Sequence, residues 1–260
     1  RQRQMCIRDR YYGGTAASKE SKGFYKLPAG NYYLTGNITV DNYIDITGDV
    51  NLCLNGKTLS TSLVNTTGQN IAFILVDQNR TLTLCDCDPN GAGTIQTENT
   101  LTYGVQTGAS GKLAMYGGKI TGVECGVYAA DQFAMYGGTI TGNTAKNEKA
   151  SNNINGGGVY VSAGATFTMN GGASSVSKNT AKNGGGVSVS SGTFNMNDGK
   201  ISGNTGNGVF VHDNATFTVS KTPTVTGNTI TKNGAASNVF LTWGAKITIG
   251  TGGLNCDDGS

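Results

Sequence analysis

The chain has 260 residues, of which 41 are Gly, 3 are Pro and only 13% are charged, against roughly 25% in an average globular protein. Its formal net charge of +3 arises in the first ten residues, which hold four Arg and one Asp; removing these from 19 basic and 16 acidic residues leaves 15 of each. No basic stripe for nucleic acid or an anionic membrane surface remains, and no run approaches the roughly 18 apolar residues of a membrane helix, so neither nucleic-acid binding nor membrane insertion is expected.

Residues 1–10 (RQRQMCIRDR) have no counterpart later in the chain, and Met5–Arg10 looks like the translation of a sequencing-transposon end; a non-native leader is expected here. Residues 11–23 read as a flexible lead-in. Residues 24–50 alternate strongly (Ile38/Val40, Ile44/Ile46) but lack the phrase that dominates the rest, as expected for capping and entry coils that cover an open apolar end. Residues 51–260 read as repeats, and the whole as a piece of a longer polypeptide.

The phrase appears as GGKITG at 117–122, GGTITGNTA at 137–145, GGGVYVSAGATFTMNGG at 156–172 and GGGVSVSSGTFNMNDGKISGN at 184–204. Its apolar-x-apolar strands end at Leu54, Leu84, Met115, Met135, Met169, Met196, Val219 and Ile249, with partners two residues earlier at Leu52, Leu82, Leu113, Phe133, Phe167, Phe194, Phe217 and Ile247. A period of two with both members apolar puts each pair on one face, pointing into a core. Two further strands recur per unit, the GVYV type (Val127, Val159/Val161, Val187/Val189, Val209/Val211, Val239/Leu241) and the I-x-G-N type (Ile120, Ile140, Val176, Ile201, Val225). Three short strands per turn without helical periodicity predict an all-β, right-handed, single-stranded parallel β-helix of about eight recognisable coils plus the cap. The polar run 146–156 (KNEKASNNING) is expected to be a protruding insertion.

Asn143, Asn179, Asn204 and Asn228 fall at one phase of the repeat and are expected to form a ladder up the stack, with Asn also tolerating a left-handed corner. The triplets Gly156–Gly158 and Gly184–Gly186 lack the following helix and Lys-Ser/Thr of a phosphate loop, and are read as corners of positive φ.

With GGGV at 156–159 and 184–187 alternating with ITGN, VSKN, ISGN and VTGN, the chain resembles bacterial surface proteins with polymorphic-membrane-protein-type repeats, whose hallmark is GGAI alternating with FxxN. Aliphatic residues stand where that family has Phe. The stretch LCLNGKTL…LTLCDC…GTI (52–95) also resembles large secreted β-helix proteins of gut anaerobes. These resemblances imply a secreted or wall-attached protein that contacts a host surface or a polysaccharide, and with no catalytic pattern in the residues a non-enzymatic adhesin or stalk is expected, its partner a glycan or a host-surface protein.

Parallel β-helices also include pectate-lyase-like lyases and glycoside hydrolases, which is the alternative reading; a carbohydrate-binding module is the second. Glycosidic cleavage needs two carboxylates a few ångströms apart. Asp77, Asp86, Asp88, Glu98, Glu124, Asp131, Glu148, Asp198 and Asp213 do not recur at equivalent positions, and beyond the leader the only Arg is Arg80. The only His, His212 beside Asp213, reads as a surface residue. No catalytic residue and no cofactor follows from this pattern.

Cys53 and Cys85 point outward roughly one coil apart, so a Cys53–Cys85 bridge is expected in an oxidising location, with Cys53–Cys87 as the other pairing and free thiols as the alternative. Asp86, Asp88 and Asn90 imitate the opening of a calcium loop, but position twelve is Thr97 and no helices flank it; Asp-Pro-Asn-Gly is strong turn chemistry by itself. Outward Thr (81, 83, 166, 168, 193, 216, 218, 248) resemble an ice-binding column, but ordinary β-propensity accounts for them, and Lys112, Ala114, Gln132, Ala134 and Lys246 interrupt the column. Tyr11, Tyr12, Tyr116, Tyr128, Tyr160 and Trp243 are the expected exposed aromatics. Tyr116 and Tyr136 should stack, either as a platform for sugar rings or as a clasp between neighbouring turns.

Overall fold

A computed structural model describes residues 18–19, 23–66, 69–97, 101–145, 156–231 and 233–255. These residues form an all-β, right-handed parallel β-helix with three strands per coil and no helix. Strands three apart in sequence pair with one another, giving sheets of ten, eight and nine strands, here called A, C and B in that order. Sheet B holds the eight strands expected from the repeat and a ninth, Gly30–Tyr33, ahead of them. The segment Tyr25–Val40 already supplies one strand to each sheet, pairing in parallel with Ile44–Ile46, Val50–Cys53 and Thr58–Thr61. Ser18–Lys19 pairs antiparallel with Tyr25–Leu27 at the edge of sheet A. The expected insertion at 146–156 lies almost wholly outside the described residues, as do Tyr11, Tyr12, Glu98 and Glu148.

Because each strand lies directly on its equivalent, like residues form columns. In sheet B the inward columns are Phe133–Phe167–Phe194–Phe217 and Met115–Met135–Met169–Met196–Val219. The four phenyl rings are buried and stack face to face, with centroids 4.6, 4.7 and 5.0 Å apart. Sheet C contributes Ile95–Ile120–Ile140–Val176–Ile201–Val225, and sheet A contributes Val127–Val159–Val187–Val209–Val239. In the last described coil Ile247 and Ile249 are 45% and 62% exposed, because no described coil lies beyond them.

One anchor is shifted from expectation. Val50 pairs with Leu82 and Leu52 with Leu84, so the inward pair of that coil is Val50/Leu52 rather than Leu52/Leu54. Leu54 is still fully buried, but at the corner, where its side chain fills the space left by Gly93 and Gly118. A two-residue shift preserves the in/out parity, so the alternation alone could not register it.

The Asn ladder is a continuous hydrogen-bonded chain. The backbone N–H and Nδ2 of Asn143 donate to Oδ1 of Asn179, and the same pair of bonds repeats from Asn179 to Asn204 and from Asn204 to Asn228. Each Nδ2 also donates to a carbonyl of the preceding coil, at Ile120, Ile140, Val176 and Ile201. The left-handed residue at these corners is the one before the Asn, Gly142, Lys178, Gly203 and Gly227, each with φ between 56° and 67°. Asn is therefore required for its amide and not for its backbone freedom.

The chain of bonds runs one step further than expected. Asn228 donates to Oδ1 of Asn238. Asn238 precedes Val239 in the place where Gly158, Gly186 and Gly208 precede their valines. A Cβ on Gly158 would meet the Nδ2 of Asn179 at 3.0 Å and the carbonyl oxygen of Gly186 at 2.5 Å. Of the GGGV triplets only Gly156 and Gly184 have positive φ, so the corner reading holds for the first glycine alone. The third is glycine because the neighbouring coil leaves room for nothing larger.

Candidate functional site

Cys53, Cys85, Tyr116 and Tyr136 fall into one outer column at the exit of sheet B. Tyr33 lies over Cys53 and Cys53 over Cys85. Tyr116 and Tyr136 follow the paired Met115 and Met135, and Asn170, Asn197 and Ser220 continue the same position upward. Asn197 donates to Asn170 at 2.7 Å and Ser220 donates to Asn197 at 2.6 Å. A disulfide, an aromatic pair and an amide–hydroxyl chain thus succeed one another along a single line.

Tyr116 and Tyr136 stack with centroids 4.7 Å apart and planes within 9°. Burial, and then the neighbouring Tyr136, raises the Tyr116 hydroxyl above the usual phenol range. Sugars pack on ring faces, and here each ring covers one face of the other. A second aromatic row, in sheet A, has Tyr128 stacked on Tyr160 at 5.3 Å and Tyr103 tilted against Tyr128 at 4.7 Å. Tyr103, which the alternation did not single out, is buried at its base, and burial followed by the adjacent Cys125 drives its hydroxyl far up. Trp243 stands apart, 94% exposed.

The cysteine pairing differs from the leading expectation: Cys53 is bonded to Cys87 and not to Cys85. In-register parallel strands hold their Cβ atoms about 4.8 Å apart on parallel vectors, beyond the roughly 3.5–4.5 Å that a disulfide accepts. After Cys85 the chain turns at Asp86, which brings Cys87 back toward Cys53 at a Cα separation of 6.3 Å. Cys125 lies elsewhere, fully buried, and burial pushes its thiol up to about 12.

The turn is held by the residues that imitate a calcium loop. Asp86 accepts from the backbone N–H groups of Gly56 at 2.8 Å and Asp88 at 3.3 Å through Oδ1, and from Gly93 at 2.6 Å through Oδ2. Asp88 accepts from Ala92 at 3.2 Å. Both carboxylates accordingly organise backbone amides, which is turn chemistry, and Asn90 sits at the exposed tip.

Two constellations bear on hydrolytic chemistry. Asp45, whose place between Ile44 and Ile46 shows in the sequence only as an outward strand position, carries a carboxyl raised chiefly by burial and then by Asp77, with Lys26 pulling it back. Its Oδ1 is buried without a hydrogen-bond partner. In sheet A, the Nε2 of His212 lies 3.4 Å from the hydroxyl of Ser188, while Asp213 accepts from the hydroxyl of Thr242. Burial lowers the His212 pKa and Asp213 partly offsets that. Ser188 is fully buried, in register between Tyr160 and Phe210 of the adjacent strands. The outward Thr columns are interrupted in register by Lys112, Ala114, Gln132 and Ala134.

Comparison with protein-family models, with curated proteins and with solved structures found no match to the chain.

Proposed function

We propose that this chain is a non-enzymatic, extracellular or cell-surface β-helix module that serves as a stalk or adhesin. It would act in the manner of the bacterial surface proteins whose GGAI/FxxN pattern its phrases resemble. The observation that carries this reading is the Asn143–Asn238 ladder running unbroken between coils, beside the Phe stack. The recurring residues are engaged in holding coil to coil, which yields a stiff spacer of roughly 40 Å for nine stacked strands. A disulfide on the outer surface fits an oxidising location.

A glycan array and a cell-binding assay, run beside a reducing-sugar assay on polysaccharides, test the reading. Saturable binding without cleavage supports the adhesin role, and neither binding nor cleavage supports a plain stalk. Release of reducing ends overturns both.

A further inference from the structure

The sulfurs of Cys53, Cys85 and Cys87 all lie within 4.8 Å of one another. Two of them occupy adjacent steps of one column, and the third is brought across by the turn at Asp86. Three thiols converging from two coils are a donor set for a soft cation, because thiolates favour zinc and copper(I) over harder ions. Zinc–sulfur bonds of about 2.3 Å place sulfurs roughly 3.8 Å apart in a tetrahedron, so the Cys85 sulfur needs to close on the other two by about 1 Å at most, while those of Cys53 and Cys87, bonded to each other in the disulfide, part to that spacing once it is reduced.

We propose that Cys53, Cys85 and Cys87 form a trithiolate zinc site that replaces the Cys53–Cys87 bridge under reducing conditions. The surroundings are built for it. Asp86 ties the loops on both sides of the cysteines together through the N–H groups of Gly56 and Gly93, so the donors are held in place before any ion arrives. Cys53 is buried, Cys85 half-buried and Cys87 exposed, which gives an inner anchor, an entry path and an open fourth position for water.

The chemistry balances in two steps. A dithiol gives two electrons and two protons to the Cys53–Cys87 bond, which breaks to two thiols while the dithiol closes to its own disulfide. Zinc(II) then displaces the protons of three thiols, releasing three protons and forming three Zn–S bonds with a net charge of −1. The same two coils are thereby joined covalently when oxidised and through the ion when reduced.

The test uses the full chain reduced with a phosphine, which does not compete for the metal as a dithiol would. Cobalt(II) serves as the optical probe and zinc(II) is titrated against a chromophoric chelator. The expected result is a sulfur-to-cobalt charge-transfer band at one equivalent, bleached by zinc. Cys85→Ser keeps the bridge when oxidised, and once reduced should bind zinc at least tenfold more weakly. Replacing Cys6, Cys125 or Cys256 by Ser should leave zinc binding as in the parent. No band in the reduced parent, or equal zinc affinity in Cys85→Ser, overturns the site. Should reduction unfold the first coils, zinc is expected to restore the β-sheet circular dichroism of the parent and not of Cys85→Ser; failure to restore it overturns the site as well.

Discussion

The coils at 50–97 and those at 159–228 share one backbone path but hold their corners by different means. In the later coils the corner after sheet C repeats one device, an Asn amide passing its bonds to the next Asn, and inside sheet B each phenyl ring lies on the next. In the earlier coils the corners are met singly. Thr61 donates to the carbonyl of Asn42, Thr97 donates to that of Gly122, and Asp86 gathers three amides. A disulfide spans this irregular stretch. Repetition lets one solution serve many coils, and where the repeat lapses, local bonds and a cross-link take over.

The largest break in this contrast should come from Phe194→Asp. A charge buried in the middle of the phenyl stack should remove more than about 4 kcal/mol and abolish cooperative unfolding, as followed by circular dichroism in urea. Reduction of the bridge, or Cys87→Ser in the oxidised protein, should cost up to about 3–4 kcal/mol, given the 34-residue separation it closes. Hydrogen exchange should show that loss concentrated in the early coils. Asn179→Ala orphans the amide of Asn143 and the carbonyl of Ile140 and should cost about 3 kcal/mol, with exchange quickening in coils on both sides.

Asp45→Asn probes the early coils from another side. The folded carboxyl is raised above 3.8, so the unfolded chain loses its proton first, and stability falls as pH climbs through the acidic range toward the folded pKa. The variant should therefore melt higher than the parent at pH 7 and about equally at pH 3. The smallest effect belongs to the late coils. Lys178 occupies a left-handed corner that Gly142, Gly203 and Gly227 fill elsewhere, and Lys178→Gly should stabilise by about 0.5–1 kcal/mol in thermal melts.

The later coils were legible because their determinants repeat. Inward pairs such as Phe167/Met169 and the phase of Asn143, Asn179, Asn204 and Asn228 announce both the architecture and the ladder. Asn238 escaped because it joins the ladder from a glycine slot and not from the I-x-G-N turn. The early coils were legible only in parity. Alternation places Cys53 and Cys85 on the outside, but the choice of Cys87 depends on a turn whose path Asp86 sets through backbone amides. Convergence of three sulfurs and of Asp45 with Asp77 is likewise a matter of register between coils, which a single strand's pattern does not carry.

Tension along the axis of a coil stack peels strands away one coil at a time, since each turn of chain runs across the direction of pull. The Cys53–Cys87 bond closes a segment of 34 residues against such peeling. Roughly 110–120 Å of extended chain is thus withheld from any stretch applied between the two ends. A force-extension experiment should therefore find the segment between Cys53 and Cys87 still wound after coils without a cross-link have extended.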